Sequence, residues 1–171
     1  MAQRVSAGDH GVLALSMRDS ALRPRTLVPP PLVYAVALGA AWWLEARWSL
    51  AFDAGMAGHW LGWGLIGVGL AGFAWALAAI WGERTTVNPY KAASRLVTHG
   101  PFVYSRNPIY VSDWFVYLGV MFLLATAWPA LLSPLVWWVM RRGVIAHEEA
   151  HLMAKFGDEY RDYVARVRRW L

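Results

Sequence analysis

The chain of 171 residues contains no cysteine and few charged residues, and each shortage excludes a class of protein. Without cysteine there are no disulfide bonds, thiolate metal sites or cysteine nucleophiles. A G-x-S-x-G serine elbow is also missing. Charged side chains make up 16% of the residues and hydrophobic ones 58%, a balance far from that of soluble domains. What is abundant is apolar sequence and tryptophan, and twelve indole rings indicate a membrane–water interface.

Four apolar runs predict membrane helices. About 20 apolar residues are needed to span a bilayer, and residues 60–81 meet this requirement most clearly. The fourth run reaches that length only if its helix continues through Arg141 toward Glu148. We predict an all-α integral membrane protein with about four transmembrane helices and a C-terminal amphipathic helical tail. Its predicted parts are a cytosolic lead-in (1–27), transmembrane helices 1–2 (28–81), a polar cytosolic loop (82–107), a transmembrane hairpin of helices 3–4 (108–147) and a cytosolic tail (148–171).

The basic residues predict the orientation. Fifteen of the sixteen Lys and Arg residues lie in the lead-in, the polar loop or the tail region, and Arg47 alone lies in the first turn on the other side. The positive-inside rule therefore predicts that both termini and the polar loop are cytosolic. The expected location is a bacterial inner membrane. The same distribution argues against a nucleic-acid partner, because four basic residues in the loop make a weak footprint.

The second run contains five glycines, which predict close helix–helix packing. Gly62, Gly64 and Gly67 also spell G-x-G-x-x-G, the dinucleotide-binding fingerprint. That motif requires a preceding strand, and here the surroundings are apolar and helical. The packing interpretation is favoured.

The polar loop ends in the segment 96–110, Leu-Val-Thr-His-Gly-Pro-Phe-Val-Tyr-Ser-Arg-Asn-Pro-Ile-Tyr, which carries more reactive groups than a connector needs. Arg106 offers a bidentate clamp for a carboxylate or phosphate, or an anchor to lipid headgroups. Asn107 and Pro108 suit the N-cap and first position of the third helix. Asp113 falls inside that helix, where an ionisable group costs roughly 2.5–3.5 kcal/mol at the bilayer centre. It is expected to face the bundle or a wet cavity, or to lie near interfacial water.

His147-Glu148-x-x-His151 matches the H-E-x-x-H signature of zinc peptidases, with both histidines on one helical face. A catalytic zinc needs a third protein ligand, and Glu159 is the one candidate downstream. No metal site is therefore predicted, although a zinc peptidase stays an alternative. The adjacent pair Glu148-Glu149 is a second candidate, because carboxylates at the helix–cytosol junction can bind a cationic or hydroxyl-bearing ligand.

Two separated motifs together resemble the isoprenylcysteine carboxyl methyltransferase family and its phospholipid methyltransferase relatives. The first is the segment 96–110, which is similar to the family's Arg-His/Asn-Pro-x-Tyr signature. The second begins at Glu148-Glu149 and continues through Leu152, Phe156-Gly157, Tyr160 and Tyr163. The resemblance covers roughly residue 84 to the end, and it implies a membrane enzyme that uses S-adenosylmethionine to methylate a lipophilic or membrane-embedded acceptor.

The resemblance also implies a site. The cofactor-binding residues it implies are Ser94, Arg95, Leu96, Val97, His99, Gly100, Phe102, Asn107, Pro108, Ile109, Tyr110, Glu148 and Glu149. The catalytic ones are Arg106, Asn107 and Tyr110, and Asn107 stands where many members carry histidine. Asp113, Arg142 and Val144 are the substrate-binding candidates. Val144 occupies the position of a substrate-binding arginine in members that methylate a prenylcysteine carboxylate, which favours a neutral or differently charged acceptor.

The expected chemistry needs no protein nucleophile, because methyl transfer from a sulfonium depends on in-line positioning in a water-poor pocket. The expected partners are a lipophilic small-molecule or lipid substrate and the bilayer. The sequence leaves open the identity of the acceptor, the oligomeric state, and the alternative of a non-enzymatic membrane scaffold.

Overall fold

The structure is a computed structural model, and it describes residues 29–83 and 95–171. These residues form helices, and no named strand occurs among them. The helices are α1 (Pro30–Glu45), α2 (Gly55–Gly82), α3 (Pro108–Leu124), α4 (Trp128–Val139), α5 (Ala146–Phe156) and α6 (Asp158–Arg166), with a 3-10 helix at Gly100–Val103 and a π-helical segment at Met140–Ile145. The all-α prediction is confirmed for this part of the chain. The predicted lead-in and Ser94 lie outside the described residues.

Among the described residues, α2 is the one helix that is both long and apolar enough to cross a membrane, judged by length and composition. It has 28 residues, and α3 is apolar but has only 17. Large apolar side chains on these helices are exposed, including Trp60, Trp63 and Leu70. One membrane-spanning helix therefore has structural support, and the prediction of four is not confirmed.

Glycines bring α2 and α3 into backbone contact. A Cβ added at Gly62 would lie 2.9 Å from the carbonyl oxygen of Gly119, and one at Gly69 would lie 2.7 Å from that of Ser112. Side chains at these positions would push the two antiparallel helices apart. A Cβ added at Gly64, by contrast, would meet no described atom within 4 Å. Close packing through some of the α2 glycines is thus confirmed, and no strand–turn–helix surrounds the G-x-G-x-x-G motif.

The fourth helix continues as the sequence predicts, but through a wider turn. Helical structure is unbroken from Trp128 to Phe156 because the π-helical segment joins α4 to α5. Met140, Val144 and Ile145 in this segment are fully buried. An inserted π turn changes the register between the helices on either side of it. The register of Glu148 relative to α4 is therefore set by a segment packed into the core.

The loops at one end of the α2–α3 pair are joined by a hydrogen-bond network around Glu45, which we call the distal cluster. Glu45 accepts hydrogen bonds from Ser49 Oγ at 2.5 Å, Leu50 N at 2.9 Å and Thr126 Oγ1 at 2.6 Å. An isolated antiparallel bridge also pairs Ala51 with Thr126. These bonds tie the turn after α1 to the turn after α3.

Candidate functional site

A cleft lies at the other end of the α2–α3 pair, between the segment 95–106, the end of α2, and helices α5 and α6. We call it the motif cleft, and its volume is about 90 Å³. The predicted site residues that line it are Arg95, Leu96, Val97, Phe102, Arg106 and Glu148. The other lining residues are Ile80, Leu152, Tyr160 and Tyr163. The two motifs singled out in the sequence therefore face one another.

Among the residues that the structure describes, one hydrogen bond holds Glu148. Tyr110, on the first turn of α3, donates its hydroxyl to Glu148 Oε2 at 2.9 Å across 38 residues of sequence. Burial raises the pKa of Glu148 above its ordinary value, and the neighbouring Glu149 raises it further, while the Tyr110 hydrogen bond opposes the rise. The carboxylate is thus costly to ionise and retains acceptor capacity. A cationic or hydroxyl-bearing ligand would stabilise its charged form.

Glu149 is occupied by two arginines. Arg169 Nε and Nη2 contact its two carboxylate oxygens at 3.0 and 2.5 Å, and Arg106 Nη2 lies 3.5 Å from Oε1. The hydrogen bond to Glu149 is the main reason why the pKa of Arg169 lies above its ordinary value. Arg106 also lines the motif cleft, and within the described part of the chain its buried Nε has no hydrogen-bond partner. One donor of this guanidinium is therefore available to an anionic group.

The C-terminal segment is fastened to the start of α3. The Arg106 backbone N–H donates to the Arg168 carbonyl at 2.9 Å. Ser105 Oγ and Asn107 Nδ2 both donate to the carbonyl of Arg169, at 3.2 and 3.0 Å. The tail thus folds back onto the motif segment. Asn107 stands at the predicted N-cap position, but its side chain bonds the tail and does not cap the helix.

Aromatic side chains of α6 complete the wall of the cleft. Tyr163 donates its hydroxyl to the Phe102 carbonyl at 2.7 Å, and burial raises the pKa of Tyr163 to about 12. Burial raises the pKa of Tyr160 as well. Both phenols therefore stay protonated at neutral pH, and they offer flat apolar surfaces together with hydroxyl groups.

The remaining predicted residues lie elsewhere in the fold. His99 is exposed, with Nδ1 3.8 Å from Glu83 Oε1, and Gly100 begins the 3-10 helix. Ile109 packs between the two core clusters, Val144 is fully buried, and Arg142 is exposed. The structure therefore separates these residues from the lining of the motif cleft. Asp113 lines a different cavity, between α1, α2 and α3.

Sequence reasoning missed the tail residues that organise the site. Arg169 is 20 residues from Glu149, and Ser105 is 64 residues from its partner in the tail. Neither spacing matches a helical or strand repeat, so no periodic signal links these pairs. Tyr160 and Tyr163 belonged to the quoted second motif and were a usable signal for the cleft wall.

The zinc signature lies beside the cleft. His147 Nδ1 and His151 Nε2 are buried and have no hydrogen-bond partner in the described ranges, and burial lowers the pKa of His151. Within residues 29–83 and 95–171, no group of three or more His, Asp or Glu side chains is placed to hold a metal ion. The geometry therefore offers no specific support for the zinc alternative.

Comparisons with known proteins point to one family. The family model described as phospholipid methyltransferase matches residues 57–159, which include nearly all of α2, the whole of α3 and most of the motif cleft. Protein-S-isoprenylcysteine O-methyltransferase of Schizosaccharomyces pombe is 40% identical over 72 residues, covering 42% of this chain and 30% of the yeast protein's length. An uncharacterized protein of Haemophilus influenzae is 41% identical over 64 residues, 33% of this chain and the whole of that protein. No solved structure matches this chain.

Proposed function

Because this chain belongs to the phospholipid methyltransferase family, we propose that it transfers a methyl group from S-adenosylmethionine to a lipophilic acceptor in the membrane. The observation that best supports this proposal is the motif cleft. Arg106 and Glu148 both line it, and among the described residues neither side chain has its full set of hydrogen-bond partners. The name of the S. pombe relative supports the reaction class. The aligned part is 30% of that protein, so its substrate is not carried over to this chain.

The residues of the cleft fit the groups of this cofactor. The unpartnered Arg106 Nε suits its carboxylate, and the spare acceptor capacity of Glu148 suits its ammonium or ribose hydroxyls. Phe102, Tyr160 and Tyr163 provide surfaces for an adenine ring. Small-molecule sites usually measure about 300–1,000 Å³, so the described cleft of about 90 Å³ accounts for part of such a site.

The bound cofactor would supply an electrophilic methyl group, and the protein's own residues would bind and orient the cofactor and the acceptor. Tyr110 holds Glu148 through its 2.9 Å hydrogen bond, which acts as a positioning contact. Arg169 keeps Glu149 paired, leaving Glu148 as the carboxylate that meets the ligand. Asn107 fastens the tail over the segment 95–106. Holding the reacting groups in one geometry supplies much of the acceleration in a transfer of this kind.

The proposal includes the predicted topology, with four membrane helices, cytosolic termini and a cytosolic motif cleft. The family is membrane-associated and α2 is long enough to span, which supports membrane insertion. Accessibility reporters fused at each terminus and at residue 53 test the rest. Cytosolic signals from both termini and a non-cytosolic signal from the turn are expected, and any other pattern rejects the four-span arrangement.

The main test is calorimetric titration of S-adenosylmethionine and S-adenosylhomocysteine into detergent-purified protein. Saturable binding is expected for wild type, with affinity lowered by roughly 10- to 100-fold in Glu148→Gln because a hydrogen bond to a charged group is lost. Glu159→Gln is the matched control, since Glu159 is an exposed glutamate on α6, and it should bind like wild type.

Other outcomes decide between the alternatives. Absence of binding to folded wild-type protein would reject the cofactor assignment. Stoichiometric zinc in the same preparation would favour the peptidase, and absence of both zinc and cofactor binding would favour a scaffold. Unchanged affinity in Glu148→Gln would leave the function standing and refute the site.

A further inference from the structure

A second cavity lies between α1, α2 and α3. We call it the bundle cavity, and its volume is about 330 Å³. That volume lies within the range of small-molecule sites. Most of its wall is apolar, with contributions from Leu38, Leu70, Phe73 and Val116. Such a wall suits a hydrocarbon chain.

The bundle cavity has one polar corner, formed by Asp113 and Tyr34. Tyr34 is 8% exposed, and its hydroxyl has no hydrogen-bond partner among the described residues. Asp113 takes part in no hydrogen bond or ion pair with any described residue. The other hydroxyls at the cavity are satisfied, since Ser112 Oγ donates to the Pro108 carbonyl and Tyr117 donates to the Pro129 carbonyl, each at 2.9 Å. Two polar groups left unsatisfied in an apolar wall indicate that a ligand completes them.

This corner is close to the motif cleft. Asp113 lies three residues after Tyr110 on α3, a separation of roughly 4.5 Å along the helix axis. Tyr110 donates its hydroxyl to Glu148, which lines the motif cleft. Tyr34 and Tyr110 belong to the same buried cluster. Tyr110 therefore stands between the two cavities, and a head group at Asp113 would lie beside the cofactor's proposed position.

We propose that the bundle cavity binds the methyl acceptor, and that this acceptor is a lipophilic molecule whose reacting atom is a nitrogen or oxygen that carries a proton. This inference rests on the proposed function and deepens it. Asp113 accepts from the N–H or O–H head group and Tyr34 hydrogen-bonds it, while the chain lies against Leu70 and Phe73. A carboxylate head is disfavoured because it would face the Asp113 carboxylate in an apolar surrounding, where like charges repel strongly.

The reaction balances with the groups named. A bond forms between the acceptor nitrogen or oxygen and the methyl carbon, and the methyl–sulfur bond breaks with its electron pair remaining on sulfur. The proton of the acceptor moves to the Asp113 carboxylate and from there to solvent. An acceptor that is already a carboxylate has no proton to release and would give Asp113 no such role.

Photolabelling without cofactor tests the assignment. Three 12-carbon probes each carry a diazirine at the end of the chain, and their head groups are an amine, an alcohol and a carboxylate, respectively. Each probe is added to protein in phosphatidylcholine nanodiscs, and the labelled residues are mapped by mass spectrometry. The amine, the alcohol or both should label cavity residues of α1 and α2 saturably, at least about tenfold more than the carboxylate. Labelling by the amine alone would identify an ammonium site. Labelling by both would identify a hydrogen-bond-donor site.

Two variants and one control sharpen the result. Asp113→Asn should lower saturable labelling by the favoured probe about tenfold, and Tyr34→Phe, which keeps the ring, should lower it about threefold. Asp162→Asn, at an exposed aspartate of α6, should leave labelling unchanged. If Asp113→Asn fails to fold, Tyr34→Phe and the three probes on wild type still test whether the bundle cavity binds the acceptor.

Equal labelling by the carboxylate, or saturable labelling confined to residues outside the cavity, would overturn the proposal. Uniform, unsaturable labelling, as bulk lipid chains would give, would also overturn it. Because the readout needs no cofactor, these outcomes are independent of the calorimetric test, so the acceptor site can fail while the methyltransferase assignment stands.

Discussion

Two glutamates at opposite ends of the α2–α3 pair are treated differently by the fold. At the distal cluster, Glu45 accepts three hydrogen bonds from two loops. At the motif cleft, Glu148 has one hydrogen bond to a described residue, Tyr110, and the buried Nε of Arg106, a residue that lines the same cleft, has none. A carboxylate whose acceptor sites are filled locks loops together. One with acceptor sites remaining is suited to bind.

The electrostatics of Glu148 also set it apart from a purely structural glutamate. Burial and Glu149 raise the pKa of Glu148, so the folded protein disfavours its ionised form. A raised folded-state pKa means that ionising Glu148 costs stability as pH increases from its unfolded-state value through the folded one. A residue retained at such a cost is a candidate for function, whereas Glu45 needs no ligand to account for its contacts.

The largest expected effect is the pH dependence of cofactor affinity. Because Glu148 must be ionised to attract a cation, affinity should rise by up to about tenfold per pH unit below its raised pKa and level off above it. Calorimetry between pH 5 and about 7, below the range in which an α-amino group titrates, measures this. Glu148→Gln should lose the dependence; if the variant keeps it, another group is responsible.

The distal cluster and the motif cleft lie at opposite ends of the α2–α3 pair, and a substitution at Gly62 tests the close spacing of these two helices. Gly62→Ala would place a Cβ 2.9 Å from the Gly119 carbonyl and should destabilise the fold by about 1–3 kcal/mol. Gly64→Ala, which meets nothing within 4 Å, should be neutral or stabilising by up to about 1 kcal/mol. Denaturant unfolding in detergent compares the two. Equal effects would mean that close contact at Gly62 is unimportant.

Arg169 tests whether the tail belongs to the site. Arg169→Ala removes both contacts to Glu149, and we expect cofactor affinity to fall by up to about fivefold, since partial exposure limits the pair to about 1 kcal/mol. Arg168→Ala is the control, because Arg168 bonds the other described residues through its backbone carbonyl, which the substitution keeps. A loss of thermal stability with unchanged affinity would restrict the tail to a structural role.

The smallest effect is expected at the distal cluster. Thr126→Val removes a buried hydroxyl that donates to Glu45, and should lower the free energy of unfolding by about 1 kcal/mol. Cofactor affinity should stay within twofold of wild type, roughly 0.4 kcal/mol. A larger change in affinity, with stability unchanged, would contradict the division between a structural end and a binding end.

The sequence by itself determined the helical class, because apolar runs of this length leave few alternatives once backbone groups must be satisfied internally. The family resemblance, carried by local motifs, named six residues that the structure places in the lining of the motif cleft, among them Arg106 and Glu148; their roles stay predictions. Helix-packing glycines were recognisable as a set. Which of them touch α3 was not, because Gly62 and Gly64 differ only in the face they occupy.

Tertiary structure alone decided which polar groups are satisfied. Asn107 and Arg106 are motif residues, yet the fold uses the amide of the first and the backbone of the second to hold the tail, across about 60 residues. Tyr34 and Asp113 meet at one cavity although 79 positions separate them in the printed numbering. Local patterns specify helices through their period, but a hydrogen bond between distant residues leaves no period to detect. The number of helices that cross the membrane is likewise a matter of packing and bilayer, beyond the length of any single apolar run.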